Sequence, residues 1–472
     1  MLSSPAHRLN VWAALVFGGA LGLGLIKILP MAIEKPVFLF ALPFVCLLFL
    51  IVALDIRLMV TLILFSRALL DPVLNMTKGE SGGLGFGAVL NLFVLMLTFA
   101  LGFRHIGELR NNRLFKSWLP FLVVCLVAVF YSPAPFTAIR FFFNLTSYLC
   151  MALLPFLIDS HVNDKKRWIK VLAWSSVLPV IFANVDLVRG GRTFEDAGSR
   201  ILGTFTHPNI LAFYLVFAIA LFFYILKSAH FRVTGWRKAV ILLYMANLFF
   251  LLLGTKTRNA WISCWLLFFI YGLIKERKYL VISLLAVVAG MALPQIADRA
   301  GDLGGGSSQR MNSLEWRVEL WKSAMPWIKE RFFFGYGLST FSQYSRSFFL
   351  LERKVGVDAH NTYVQILFET GIAGLLAYVA IYIGIIRAFF SRVRAGLPKL
   401  SAEYAVVLSY VITYLLSSVA DNMFYYLALN WYFWFLIGVM LKAMRFHAVL
   451  NPRSPQPQQA SPHAHLRRRP VV

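Results

Sequence analysis

Apolar residues run along this chain in long, nearly unbroken stretches separated by short polar loops. Stretches of about 17–25 apolar residues, coiled as helices, match the hydrocarbon thickness of a bilayer. The apolar runs fall at about 11–29, 36–54, 57–74, 86–103, 118–132, 138–158, 168–188, 209–227, 238–254, 259–274, 279–296, 363–390, 404–420 and 424–443, several of them short, notably 118–132 and 259–274. The pattern predicts an all-α, polytopic transmembrane helical bundle with an even number of spans, about 12–14. A transmembrane β-barrel would show short segments of alternating polarity, whereas these runs are continuous. The first run has a basic flank at Arg8, is too long for a signal-peptide core and lacks a small-residue cleavage pattern. It is read as a retained helix.

The spacing of the runs divides the chain into four parts. Residues 1–296 hold the N-terminal part of the bundle, 297–360 a large loop, 361–443 the C-terminal spans and 444–472 a tail. From Asn451 the tail is rich in Pro, Gln and Ser, so it is expected to be disordered. The large loop opens on the hinge-like run Gly304-Gly305-Gly306-Ser307-Ser308. Asn312 or Ser313 can then cap a helix. Leu314, Val318, Trp321, Met325 and Ile328 recur near helical spacing, which predicts an amphipathic helix lying over the bundle with its Trp residues near the interface. No internal repeat is evident.

Composition sharpens this reading. The chain is 59% hydrophobic and only 14% charged, with a mean hydropathy of +0.70, well outside the soluble range. The formal net charge is +25, which in a soluble protein would suggest nucleic acid. Here most residues lie in lipid, so basic side chains must crowd into loops, and no nucleic-acid partner is implied. One alternating set of loops carries Arg104 to Lys116, Lys165 to Arg167, Lys227 to Lys238, Lys275 to Lys278 and Arg387 to Lys399. The positive-inside rule assigns that side, with both termini, to the cytoplasm. The opposite set should be poor in cations, yet 189–208 carries Arg189, Arg192 and Arg200, and the turn after Gly254 carries Lys256 and Arg258. The large loop adds Arg310 and Arg317 among others, but long loops translocate largely regardless of charge. The four cysteines, Cys46, Cys125, Cys150 and Cys264, sit in apolar runs with no disulfide or metal spacing.

Three stretches could carry chemistry. In Arg200-Ile201-Leu202-Gly203-Thr204-Phe205-Thr206-His207-Pro208-Asn209, Pro208 suits a first helical turn with His207 or Thr206 as cap. Its exposed N–H groups beside Arg200 would suit an anion, although a plain helix start with a snorkelling arginine has the same sequence. In Thr255-Lys256-Thr257-Arg258-Asn259, two cations lie two residues apart in a tight turn on the unexpected side. Snorkelling is again the bland account. The placement favours a phosphate role, for which the guanidinium fork of Arg258 is suited. In Asp358-Ala359-His360-Asn361-Thr362-Tyr363, a histidine stands where the basic loop rejoins the bundle. A lone histidine at a membrane edge is more often structural, but neutral His360 could accept a proton from an attacking hydroxyl, with Asp358 placed to orient it. No nucleotide-binding Gly-rich motif and no carboxylate or histidine cluster lies on that side, so neither ATP nor a metal is implied. Few acids lie within the spans, which weakens a proton-coupled transporter reading. A lipid or polysaccharide exporter could use the arginines to hold phosphate, but it would leave His360 without a role.

Taken in order, Glu315-Trp316-Arg317-Val318-Glu319-Leu320-Trp321, Phe334-Gly335-Tyr336-Gly337, His360-Asn361-Thr362-Tyr363 and Glu369-Thr370-Gly371 resemble the large-loop signature of the O-antigen ligase and O-antigen polymerase superfamily. The Arg200 segment and Thr257-Arg258-Asn259-Ala260-Trp261 resemble it too. The resemblance implies a glycosyltransferase of the GT-C type, independent of metal and ATP, in the Gram-negative inner membrane with its active site facing the periplasm. The donor would be a glycan on undecaprenyl pyrophosphate. A ligase would transfer it to a sugar hydroxyl of lipid A-core oligosaccharide and complete lipopolysaccharide. The family's arginines would fall on Arg200, Arg317 and Arg258, and its histidine on His360. Lys256, His207, Arg192, Arg310 and Asn361 are expected to bind substrate, on the pyrophosphate or an acceptor phosphate. A polymerase or a protein O-oligosaccharyltransferase of the same superfamily is the alternative. The chain length, with no soluble domain after the last span, favours the ligase.

Overall fold

The computed structural model describes residues 55–76, 86–158, 161, 164–194, 198–291, 313–352, 356–395 and 398–450. The expected runs at 11–29 and 36–54, Cys46, the glycine hinge, Arg310 and the tail from Asn451 lie outside them. Within the described residues the chain is an all-α polytopic bundle. Nine helices are long and apolar enough to cross a membrane, and Arg258–Ile274 is a shorter apolar one.

Burial sorts these helices into inner and outer ones. The apolar windows of Pro208–Lys227 and Leu427–Arg445 are each 83% buried, and that of Leu400–Ser417 is 78% buried, so these three form the centre. Gly235–Gly254 is only 22% buried and presents Leu243 and Phe250 outward, as a lipid-facing helix must. Aromatic rings fill the centre. Trp118 meets Trp434 edge to face at 4.7 Å, and Tyr414 stacks on Phe433 at 4.3 Å. Cys125, Cys150 and Cys264 are free and buried, as small apolar side chains.

The basic end of the bundle is tied by ion pairs, the first of them buried. Glu403, fully buried, accepts from Lys165 Nζ at 2.7 Å, Tyr224 Oη at 2.8 Å and Ser228 Oγ at 2.6 Å. Arg445 pairs with Glu108 at 2.6 Å.

The opposite end carries the large loop, built around helix α1 (Ser313–Glu330) and helix α2 (Phe341–Phe348). This region has its own apolar core, centred on Leu320, Ala324, Ile328, Tyr336, Phe341 and Phe368. The amphipathic helix is present, with a different inner face from the expected one. Leu320, Ala324 and Ile328, at strict i,i+4 spacing, are buried, whereas Leu314 and Met325 are exposed. The helix packs on the loop's own aromatic core rather than flat on the bundle, and this rotates its buried stripe. Two further local features stand out. The run 168–188 lies within one candidate span, Asp164–Val188, which is built of two helices, Asp164–Ser175 and Val177–Val188. Residues Arg192–Phe194 and Gly198–Arg200 pair as an antiparallel ribbon with Arg192 opposite Arg200.

Helix α3 (Thr362–Ala395) breaks at Gly371, where φ is 66° and ψ −170°. A helix break orphans carbonyls before it and N–H groups after it. The loop backbone takes both. Tyr336 N donates to Phe368 O at 2.9 Å and Gly337 N to Glu369 O at 3.0 Å, while Ile372 N donates back to Phe332 O at 2.8 Å. Only glycines allow this approach. A β-carbon on Gly371 would lie 2.2 Å from the Phe333 carbonyl carbon, and one on Gly335 2.5 Å from Phe368 O. The Glu369 carboxylate completes the joint by accepting from Ser339 N at 2.8 Å and Phe341 N at 3.3 Å. Gly371→Ala is therefore expected to undock the loop at a cost of about 2 kcal/mol or more, measured as faster protease cleavage within 331–352 while the bundle stays intact.

Candidate active site

The site gathers where the ribbon, the turn after Gly254, the start of Pro208–Lys227, the turn after Ser417 and the loop meet. Its floor is a hydrogen-bonded chain. Arg200 Nε donates to Thr255 O at 2.8 Å, and its terminal nitrogen donates to Thr257 Oγ1 at 2.8 Å and Asn209 Oδ1 at 3.0 Å. Asn209 passes the chain on, with Nδ2 donating to Asp421 Oδ2 at 3.2 Å. Asp421 Oδ1 also accepts from Tyr426 Oη at 2.6 Å. The guanidinium is thus held by a backbone carbonyl and two short side chains, with a carboxylate one residue further back.

Local sequence explains why these groups hold their places. His207 is the N-cap before Pro208, its Nδ1 accepting from Asn209 N at 3.1 Å, as Pro at the first helical position predicts. Asp186 braces the segment between Arg200 and His207, accepting from Leu202 N at 2.7 Å and Gly203 N at 3.2 Å. Thr206 Oγ1 donates to Asp71, itself paired with buried Arg67 at 3.3 Å. Thr257 is the N-cap residue of Arg258–Ile274, which makes Arg258 its first helical residue. Asn361 is buried, and its Oδ1 accepts from Tyr363 N at 2.9 Å and Val364 N at 3.1 Å. Its side chain is spent on capping helix α3.

His360 stands one residue before that cap with a left-handed backbone, φ 48°. Its ring meets Trp316 edge to face at 5.7 Å. Burial pushes its imidazole below the ordinary value. Asp421 and then Asp358 oppose that shift, while Arg317 adds to it. Asp421 is thus the carboxylate that acts most on His360. The expected orienting partner, Asp358, is half-buried, and its own carboxyl is pushed up by loss of solvation. His207 is lowered as well, first by burial and then by Arg200, with His360 contributing. Both shifts favour the neutral ring, and both rings lie within electrostatic reach of Asp421.

Of the residues singled out in the sequence, Arg200, His207, Arg317 and His360 are brought together around Asp421, with Arg258 beside Thr257. Lys256 is exposed with φ 52°, its Nζ 3.9 Å from where a β-carbon on Gly198 would lie. Arg192 is exposed on the facing strand. Those two rim the site rather than line it. Sequence reading missed Asp421, Asn209 and Thr257. Asn209 and Thr257 lay inside the quoted motifs, but nothing local marks Asp421, which follows an apolar run. Among the described residues, no three His, Cys, Asp or Glu side chains converge as metal ligands.

No curated protein matches this chain. The family model described as O-antigen ligase matches residues 240–379, less than a third of the chain. The matched segment, which holds Lys256, Arg258, Arg317, His360 and the Gly371 joint, is similar to that family.

Proposed function

We propose that the protein is an O-antigen ligase, which transfers a glycan from undecaprenyl pyrophosphate to a sugar hydroxyl of lipid A-core oligosaccharide. The observation that carries this reading is the hydrogen-bonded chain from Arg200 through Asn209 to Asp421, with His360 within electrostatic reach of Asp421 and of Arg317. As the anomeric carbon–oxygen bond breaks, negative charge gathers on the departing diphosphate, and Arg200, Arg258 and Arg317 stabilise it. The acceptor hydroxyl oxygen forms the new bond to the anomeric carbon from the opposite face and inverts it. Its proton passes to His360, and Asp421 stabilises the imidazolium that results. Lys256 and Arg192 on the rim hold donor or acceptor phosphate. The positive-inside rule puts the Lys- and Arg-rich end in the cytoplasm and this site at the periplasmic face of the inner membrane.

A deletion strain tests the assignment. Loss of a ligase leaves lipid A-core bare while polymerised glycan accumulates on its carrier. Core capped with single repeats would mean a polymerase instead, and glycan trapped inside the cell would mean an exporter. With purified protein, Arg200→Ala, Arg258→Ala, Arg317→Ala and His360→Ala should each lower transfer by about a hundredfold or more without loss from the membrane. Full transfer by the His360 variant would remove the base from the scheme. The pH profile follows from the sign of the His360 shift. The base works when neutral, and its value is depressed below 6.5, so the acid limb of kcat/KM should fall below pH 6.5. A limb above that value would contradict the arrangement.

A further inference from the structure

A non-glycine residue with left-handed backbone is strained and persists only where its surroundings over-determine it. The residue before His360 is held through both of its backbone groups. Ala359 is fully buried; its N–H donates to Gln365 Oε1 at 3.0 Å, and its carbonyl accepts from Trp321 Nε1 at 2.7 Å. On the other side of His360, Thr362 N donates to Ser418 O at 2.9 Å.

Both holding side chains are themselves committed. Gln365 Oε1 also accepts from Asn422 Nδ2 at 2.8 Å, and its Nε2 donates to Glu369 Oε1 at 2.7 Å and Tyr425 Oη at 2.6 Å. With donors on one end and acceptors on the other, the carboxamide has one satisfied orientation. Asn422 follows Asp421 in the chain, so the same amide fixes the peptide before His360 and the turn that carries the carboxylate. Trp321 lies four residues after Arg317 on helix α1, on the same face one turn along. Its indole N–H therefore links the helix bearing Arg317 to the peptide bearing His360.

We propose that Trp321 and Gln365 are positioning residues that clamp the Ala359 peptide and so set where His360 stands between Arg317 and Asp421. Neither touches the reacting atoms. The consequence for transfer rests on the reading of His360 as the base, but the clamp can be tested without any transfer assay.

The full-length protein in lipid nanodiscs is the material. Trp321→Phe keeps the ring and removes the donor, and Gln365→Met keeps the length and removes the carboxamide. Diethyl pyrocarbonate modifies neutral imidazole, so the rate at His360, followed by mass spectrometry across pH, gives a titration midpoint. The groups facing that ring are Asp421, Asp358, Arg317 and His207, and displacement from among them changes the midpoint. The wild-type midpoint should lie below 6.5 and move by about half a pH unit or more in each variant. The kcat of glycan transfer should fall about tenfold or more, with KM for the lipid-linked donor unchanged. A midpoint unchanged in both variants overturns the clamp, whatever the rate does. A shifted midpoint with wild-type kcat overturns the positioning role. If Trp321→Phe is lost from the membrane, Gln365→Met decides alone. Absence of transfer by the wild type would count against the ligase reading, while the midpoint still judges the clamp.

Discussion

A helix that stops and restarts leaves carbonyls and N–H groups without partners, and in a membrane-crossing bundle water is not freely at hand to take them. At Gly371 a second stretch of backbone takes them instead. Residues 332–337 cross the break closely enough that bonds run in both directions between the two segments. Glycine is required on each side, because a β-carbon at Gly335 or Gly371 would overlap the facing backbone. This joint fixes the loop to the bundle. Helix α1 and the turn before helix α3 then sit in a defined relation, and with them Arg317 and His360. If the joint were loose, the arginine on the loop and the arginine on the ribbon would have no fixed separation.

The fold was largely legible in the sequence because lipid imposes a length and a composition on every span. Runs such as 209–227 and 238–254 match Pro208–Lys227 and Gly235–Gly254 to within a few residues. The failures have physical causes. Leu314 and Met325 sit at helical spacing, yet they face outward, since periodicity shows that a stripe exists but not which neighbour covers it. The Arg192–Arg200 ribbon is too short to carry a strand pattern, and its pairing opposes two cations that a sequence argument would set apart. The glycine motifs were visible as strings, but their purpose appears only when Gly335 is seen against Phe368 and Gly371 against Phe333.

The site was legible in its cations and obscure in its anion. Arg200, Arg258, Arg317 and His360 stood out because charge near a membrane face needs a reason. Asp421 sits past an apolar run with no cation beside it, and only the fold carries it to Asn209, Tyr426 and His360. A carboxylate in this position changes the electrostatics of the whole cluster. Several cations facing one another would repel, and each would pay for its own desolvation. Asp421 offsets part of that cost from behind Asn209. Placed directly on a guanidinium as a bidentate ion pair, the same carboxylate would compete with any phosphate for that fork.

The first turns of helix α3 explain how two bodies can make one site. Val364, Leu367 and Phe368 pack into the loop's aromatic core, while Ile366 belongs to the core of the bundle. Gln365 and Glu369 lie on the polar seam between those faces and bond to both sides, to Ser339 and Phe341 in the loop and to Asn422 and Tyr425 near the bundle. The histidine that precedes this stretch is consequently referenced to both cores at once. A side chain anchored in only one core would follow every small movement between loop and bundle. One anchored in both holds its place between Arg317 on the loop and Asp421 on the bundle. The strain at φ 48° is then the cost of putting His360 where the two frames meet, and the buried hydrogen bonds of the seam offset it.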